Sequence, residues 1–295
     1  MTLRHLRIFI EVCDSGGMTA AAEKMYMTQP SISQAIAELE GHYNVKLFER
    51  LGRKLYITAA GNRLLSYARH IINLYERVER EVRVISENGI LRVGASVTVG
   101  TCILSEVVKT FVNRCSNVEV TTTVDNTKVI EEMILSDKID IGLVEGFIHS
   151  PDIIEEPFYD DELVLICHPK HPWAVKGYIE AEELSGCPLI IREKGSGTRE
   201  LFEAEMAVAG LKWRTVGVYN NAEAIKNAVA ADMGVAVISR LAVEREVQMG
   251  DIKIVDIKGL QFMRKFNLIY HKNKYFSNAM REIRDMCLHG GIKRK

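Results

Sequence analysis

TAAAEKMYMTQPSISQAIAELE, residues 19–40, is the stretch whose reading decides the fold. Thr19 is placed to cap a short helix with Ala22 and Met25 on its inner face. Only Tyr26-Met27 separate it from Thr28, which caps a second helix whose second position is Pro30, where a missing amide proton costs little. Ile32, Ile36 and Leu39 form the core face of that helix, leaving Gln29, Ser31, Ser33 and Gln34 largely outside. A helix with this polar N-terminal end suits the major groove, where glutamine pairs with adenine and serine meets several base edges.

Working outward, Leu3, Leu6, Phe9, Ile10 and Cys13 recur at helical spacing and stop before Ser15-Gly16-Gly17. Residues 45–58 hold two short β-forming runs around Gly52, the pattern of a hairpin or wing. Arg50, Arg53 and Lys54 bracket its turn, where they meet phosphates or a narrow minor groove. Lys and Arg exceed the acids by only one over residues 1–58, so a helical domain used for protein contact is the competing reading of these residues. From Ala59 to about Glu87 runs an amphipathic helix with Leu64, Leu65, Ala68, Ile71, Ile72 and Tyr75 in one stripe, which predicts pairing with a second copy.

Beyond Asn88-Gly89 the pattern becomes βα alternation, implying parallel-rich sheets with ligands at the strand ends. About 205 residues of it suit two lobes, one of roughly 89–162 plus 265–295 and the other of 163–264, so that the chain crosses twice. Two loops carry candidate ligand groups. Gly195-Ser196-Gly197-Thr198-Arg199-Glu200 turns into a helix near Thr198, and its amides and hydroxyls suit a small anion. Ala95 to Thr101 ends a strand in the other lobe with the hydroxyls of Ser96, Thr98 and Thr101. Glu145-Gly146 and Asn220-Asn221 complete the rim. The competing reading of the glycine turn is a structural cap.

The 295 residues are 47% hydrophobic and 26% charged, and 38 Lys+Arg against 39 Asp+Glu give a net charge of -1. A wholesale basic coat is excluded, so any DNA binding is local. No apolar run approaches the roughly 20 residues that span a bilayer, and a cytoplasmic protein without membrane contact is expected. The six cysteines form no CxxC pair and read as buried free thiols rather than disulfides or a zinc site. No Gly-x-Ser-x-Gly, His-Glu-x-x-His or dinucleotide fingerprint appears, so neither an enzyme nor a cofactor is expected.

The stretch AAEKMYMTQPSISQAIAELE followed by LFERLGRKLYITAAG resembles the winged helix-turn-helix of LysR-type transcriptional regulators, and the likeness continues to about residue 288. It implies a DNA-binding domain at 1–58, a dimerising linker helix at 59–88 and a two-lobed α/β, periplasmic-binding-protein-like effector domain at 89–295. Operator contacts then fall on Thr28, Gln29, Pro30, Ser31, Ser33 and Gln34, with the wing contribution on Arg50, Arg53 and Lys54. The expected partners are promoter DNA, further copies of the chain in a dimer or tetramer, RNA polymerase and a small polar or anionic effector. Its site would take in Ser96, Thr98, Thr101, Glu145, Gly195, Ser196, Gly197, Thr198 and Asn221. Two departures stand out: Gln34 occupies a position often held by arginine, and His42-Tyr43-Asn44-Val45 replaces the usual Glu-x-Leu-Gly. GSGTRE, DELVLICHPKHPWA and GLVEG look most like the regulators of sulfur assimilation related to sulfite-reductase control. A small-molecule-binding module whose helix-turn-helix contacts protein is the alternative function.

Overall fold

The structure, a computed structural model, describes residues 1–52, 54–83 and 89–290; for Leu51, Lys54 and residues 80–83 it gives the backbone alone. The chain forms two compact units, one ending at residue 87 and one beginning at residue 88.

In the first unit, α1 (Leu3–Asp14), α2 (Met18–Lys24) and α3 (Gln29–Tyr43) bury Phe9, Ala21, Ala22, Ile32, Ile36 and Leu39 in one core. Thr28 caps α3, its hydroxyl accepting from the Ser31 amide at 3.4 Å. Thr19 is not a cap: α2 starts at Met18 with extended Gly17 ahead of it, because glycine serves at an N-cap nearly as well as threonine. Asn44 ends α3 in the left-handed region, φ 54, which asparagine tolerates better than other residues with a side chain. The strands β1 (Phe48–Leu51) and β2 (Lys54–Ile57) pair antiparallel across Gly52, φ +63, and make the wing.

Glu40 fastens this wing to α3. Its carboxylate accepts from the amides of Leu47 (2.9 Å) and Phe48 (3.3 Å) and from the Lys46 ammonium (2.6 Å). Burial works against its ionisation, but Lys46 and the two amides win and hold it below the ordinary carboxylate range. The long helix α4 (Ala59–Arg83) carries two apolar rows instead of one stripe. Leu64, Leu65, Ala68 and Ile72 pack on the helical core, whereas Ile71, Leu74, Tyr75 and Val78 lie exposed. Spacings of three and four residues separate these rows on the helix surface. The expected end of the linker, residues 84–88, lies outside the described residues.

The second unit is built on one mixed sheet. Strands β3 (Ile90–Ser96), β4 (Glu119–Asp125) and β5 (Ile141–Glu145) are parallel in the first lobe, with α5 (Val97–Cys102), α6 (Leu104–Arg114) and α7 (Thr127–Leu135) in the connections. The 15-residue β6 (Ile153–Cys167) then crosses to the second lobe. That lobe holds α8 (Pro172–Lys176), β7 (Tyr178–Glu180), β8 (Pro188–Arg192), α9 (Gly197–Val208), β9 (Arg214–Tyr219), α10 (Ala222–Ala230), β10 (Val235–Ser239), α11 (Glu244–Met249) and β11 (Lys253–Lys258). The return strand β12 (Phe262–His271) pairs antiparallel with β6 along its whole length, and α12 (Asn278–Leu288) closes on the first lobe. The continuous strand order is β4-β3-β5-β12-β6-β10-β8-β9.

The two crossings run through one β-ribbon whose register shifts once, between Phe266 and Asn267 opposite Tyr159 and Pro157. One apolar cluster fills the first lobe around Val93, Phe111, Leu143 and Ile283. Two more flank the sheet of the second, around Phe202 and Leu165 on one side and Ile225 and Ile166 on the other. Among the described residues no helix is long and apolar enough to cross a membrane.

Candidate functional site

The N-terminal end of α3 is set by the α2–α3 turn, where Tyr26 adopts φ 54 and lies fully exposed. Thr28, Gln29, Pro30, Ser31 and Gln34 are exposed and Ser33 half-buried at the start of α3. Ser33 and Gln29 face an open groove that also contains Lys46, Arg50 and Tyr56, so α3 and the wing share one polar concavity. Gln34 is held differently. Its amide donates to Glu38 at 2.9 Å, and Glu38 also meets the His5 ring at 2.9 Å. Arg53 and the Lys54 side chain lie outside the described residues.

In the second unit, the turn before α9 meets the ends of β3 and β5. Ser96, Thr98, Glu145, Ser196 and Thr198 come from both lobes, and each is at most 3% exposed. The contact is backbone on backbone: a Cβ on Gly197 would stand 2.1 Å from the Glu145 carbonyl oxygen, and one on Gly146 would stand 2.4 Å from the Gly197 Cα. Alongside, the Lys128 amide donates across the seam to the Gly195 carbonyl at 3.2 Å. Glycine at 146 and 197 is therefore a condition of lobe closure.

The polar groups inside are unevenly satisfied. Ser96 donates its hydroxyl to the Glu145 carboxylate, and Thr127 donates to the Glu145 carbonyl at 2.8 Å. Thr198 accepts from Arg264 at 3.0 Å. Arg264, a buried cation on β12, also donates from Nε to Asp161 on β6 at 2.7 Å, and Asp161 accepts in turn from Ser239 at 2.8 Å. The Ser196 hydroxyl and the Arg264 Nη2 are buried without a hydrogen-bond partner, although Nη2 lies within 2.7 Å of Asp161. Thr101 and Asn221 stand apart from this group. Thr101 donates to the Val97 carbonyl and Asn221 caps α10, and both line an interlobe cavity of about 270 Å³ with Cys102 and Tyr159.

Arg264, Asp161 and Thr127 carry no sequence motif and were not among the expected site residues. Arg264 alternates with Phe262, Phe266 and Leu268, so a charge on the core-facing side of a strand was the available signal. Of the six cysteines, expected to be buried, only Cys167 and Cys287 are; Cys13, Cys102, Cys115 and Cys187 are partly exposed. All six are free, and burial pushes Cys13 and Cys287 up to about 12 and Cys167 up to about 11, far from the thiolate form. Among the described residues no group of His, Cys, Asp and Glu could hold a metal ion.

Two family profiles cover nearly the whole chain: the bacterial regulatory helix-turn-helix of the lysR family matches residues 3–62, and the LysR substrate binding domain matches residues 86–291. The chain belongs to the LysR family of transcriptional regulators. This LysR regulator is 35% identical to the HTH-type transcriptional regulator YeiE of Escherichia coli (strain K12), over 97% of both chains. Its effector domain is similar to the regulatory domain of CcmR from Synechocystis PCC6803 solved with 2-PG, at 26% identity and TM-score 0.64, covering 68% of this chain and 96% of that one. The fold of full-length CbnR, solved with its target DNA, matches over 97% of this chain and 99% of that one, at 22% identity and TM-score 0.59. LysR regulators bind DNA and a small effector and are not enzymes.

Proposed function

We propose that this LysR regulator reads an interrupted palindrome as a dimer of dimers and responds to a small polar or anionic effector held between the lobes of its second unit. The observation that carries the effector site is the Ser196 hydroxyl, buried without a partner at the first turn of α9. A buried hydroxyl left unpaired costs about 1–3 kcal/mol, and an anion oxygen at a helix N-terminus is the partner that suits it. Thr198, Ser96, Thr98 and Gly195 stand at the same seam. Thr101 and Asn221 belong to the neighbouring cavity and form its extension.

Operator recognition falls to Thr28, Gln29, Pro30, Ser31, Ser33 and Gln34, with Arg50, Arg53 and Lys54 on phosphates. The exposed row Ile71, Leu74, Tyr75 and Val78 supports dimerisation through α4, since a lone helix gains nothing by presenting it to water. The edge strands β4 and β9 expose Val124, Val216 and Val218 and offer the effector domain's contribution to a tetramer; RNA polymerase is a further partner. The sulfur-assimilation resemblance of GSGTRE and GLVEG narrows the effector to compounds such as sulfate, thiosulfate or an O-acylated serine. A gel-shift titration with DNA upstream of its own gene tests the regulator reading. Salt-sensitive, sequence-dependent binding is expected, and equal affinity for random duplex would turn the first unit into a protein-contact module.

A further inference from the structure

Helix α3 carries two polar rows. Gln29 and Ser33 face the groove shared with the wing, whereas Ser31, Gln34 and Glu38, three and four residues apart and all exposed, form a second row beside it. Gln34 does not project freely from that second row. Its amide nitrogen donates to one Glu38 oxygen at 2.9 Å, and the other Glu38 oxygen lies 2.9 Å from the His5 Nε2 on α1.

The contact with His5 makes Glu38 a fixed acceptor and not a side chain loose in solvent. The Thr2 amide donates to the His5 Nδ1 at 3.2 Å, and the Thr2 hydroxyl stands 2.7 Å from the same nitrogen. With Nδ1 accepting from an amide, the ring carries a proton on Nε2 and donates it to Glu38. Thr2 and His5 form the capping box of α1, so the chain Thr2–His5–Glu38–Gln34 ties a side chain of α3 to the start of α1. The bonds from His5 and Gln34 hold the Glu38 carboxyl below the ordinary carboxylate range, and at neutral pH it only accepts.

The Gln34 amide therefore has one orientation, nitrogen on Glu38 and carbonyl oxygen away from it, since a flip would set oxygen against oxygen. A glutamine without such an anchor takes either orientation and meets donor and acceptor edges alike. In the major groove adenine N6 and cytosine N4 donate where thymine O4 and guanine O6 accept. Resting on the operator reading above, we infer that Glu38 is a positioning residue for sequence recognition: it fixes Gln34 as an acceptor, so that Gln34 takes a base with an exocyclic amino group, adenine or cytosine, in preference to guanine or thymine.

Selection from a randomised duplex library by the full-length protein, read by sequencing, is the test, run on the wild type, Gln34→Ala and Glu38→Ala. The base pair whose preference Gln34→Ala abolishes is the one that Gln34 reads. In the wild type that position should hold adenine or cytosine, enriched at least about fivefold over guanine and thymine, the lower end of what a good base contact discriminates. Glu38→Ala should erase most of that preference and leave the other positions as they were, even though losing a carboxylate strengthens binding to every duplex. A merely structural role for Glu38 would weaken all positions together. The inference is overturned if Glu38→Ala keeps the preference, if the wild type selects guanine or thymine there, or if Gln34→Ala selects the same sequences as the wild type. Absence of any enrichment by the wild type would overturn the regulator reading, and this inference with it.

Discussion

Replacing Gly197 by alanine tests how the lobes are held. The added Cβ would lie 2.1 Å from the Glu145 carbonyl oxygen and 2.7 Å from the Gly146 Cα, and ordinary contact begins at 3.4 Å, so the seam must open by about 1.3 Å. Neither neighbour is a side chain that can swing away. An opening of that size takes the 3.2 Å hydrogen bond from the Lys128 amide to the Gly195 carbonyl beyond bonding distance. A backbone hydrogen bond contributes about 0.5–1.5 kcal/mol, so exchange of the Lys128 amide should quicken roughly two- to tenfold, read by hydrogen–deuterium exchange with site resolution. Effector affinity should fall as well, since Ser196 and Thr198 withdraw from the opposite wall. The cores of the two lobes do not include Gly197, and amides in β3 and β10 should exchange as before. Unchanged exchange at Lys128 in Gly197→Ala would refute the idea that the paired glycines set lobe closure.

Four further outcomes are expected. Asp140 accepts from Arg92 and lies 2.7 Å from the buried Lys274 ammonium; burial alone would raise its pKa, but these two cations hold it well below the carboxylate range. Its contribution is therefore complete above the unfolded value of about 4 and lost as pH falls toward the folded one; Asp140→Asn should cost about 3–5 kcal/mol in urea unfolding at pH 7 and flatten the acid limb. Ser33→Ala should relax discrimination between cognate and random duplex by about 1–3 kcal/mol in competition gel shifts, whereas equal losses on both would remove Ser33 from base reading. Ile71→Glu should shift the full-length protein toward monomer in sedimentation velocity at micromolar concentration, because it sets a carboxylate in the exposed apolar row proposed to pair. Gly41→Ala, in α3 with open space around its Cβ, should raise stability by up to about 1 kcal/mol in thermal unfolding.

Local chemistry made the first unit legible. Thr28 and Pro30 mark the start of α3 because capping and the missing proline amide act within one turn, and Gly52 marks the wing for a similar reason. Glycine at 17 misled the reading of α2, since threonine at 19 competes for the same role. The α4 stripe was legible as apolar but not as two rows, because which row meets the helical core depends on how α4 packs on it. In the second unit the alternation gave the lobes and the double crossing, and the hydroxyl loops were visible as strand and helix ends. The Arg264–Asp161–Thr198 connection was not, since those residues are about 40 to 100 positions apart: the β6–β12 register sets Arg264 opposite Asp161, and the start of α9 brings Thr198 to Arg264. Thr101 was grouped with Ser96 and Thr98 by adjacency, but the helix starting at Val97 turns it toward the other cavity.

The β6–β12 ribbon restricts which movements the lobes can make. An antiparallel strand cannot slide by one residue without turning its side chains to the opposite face, and for β12 that would expel Phe266 and Leu268 from the core and take Arg264 away from Asp161. Translation of one lobe past the other is thereby forbidden. Torsion is not, because the irregular rung at Phe266–Asn267 interrupts the ladder where the strands pass between lobes. Rotation about the ribbon is the movement this register leaves open to the lobes, and a ligand at the proposed seam site would act on it as a small force at the end of a lever.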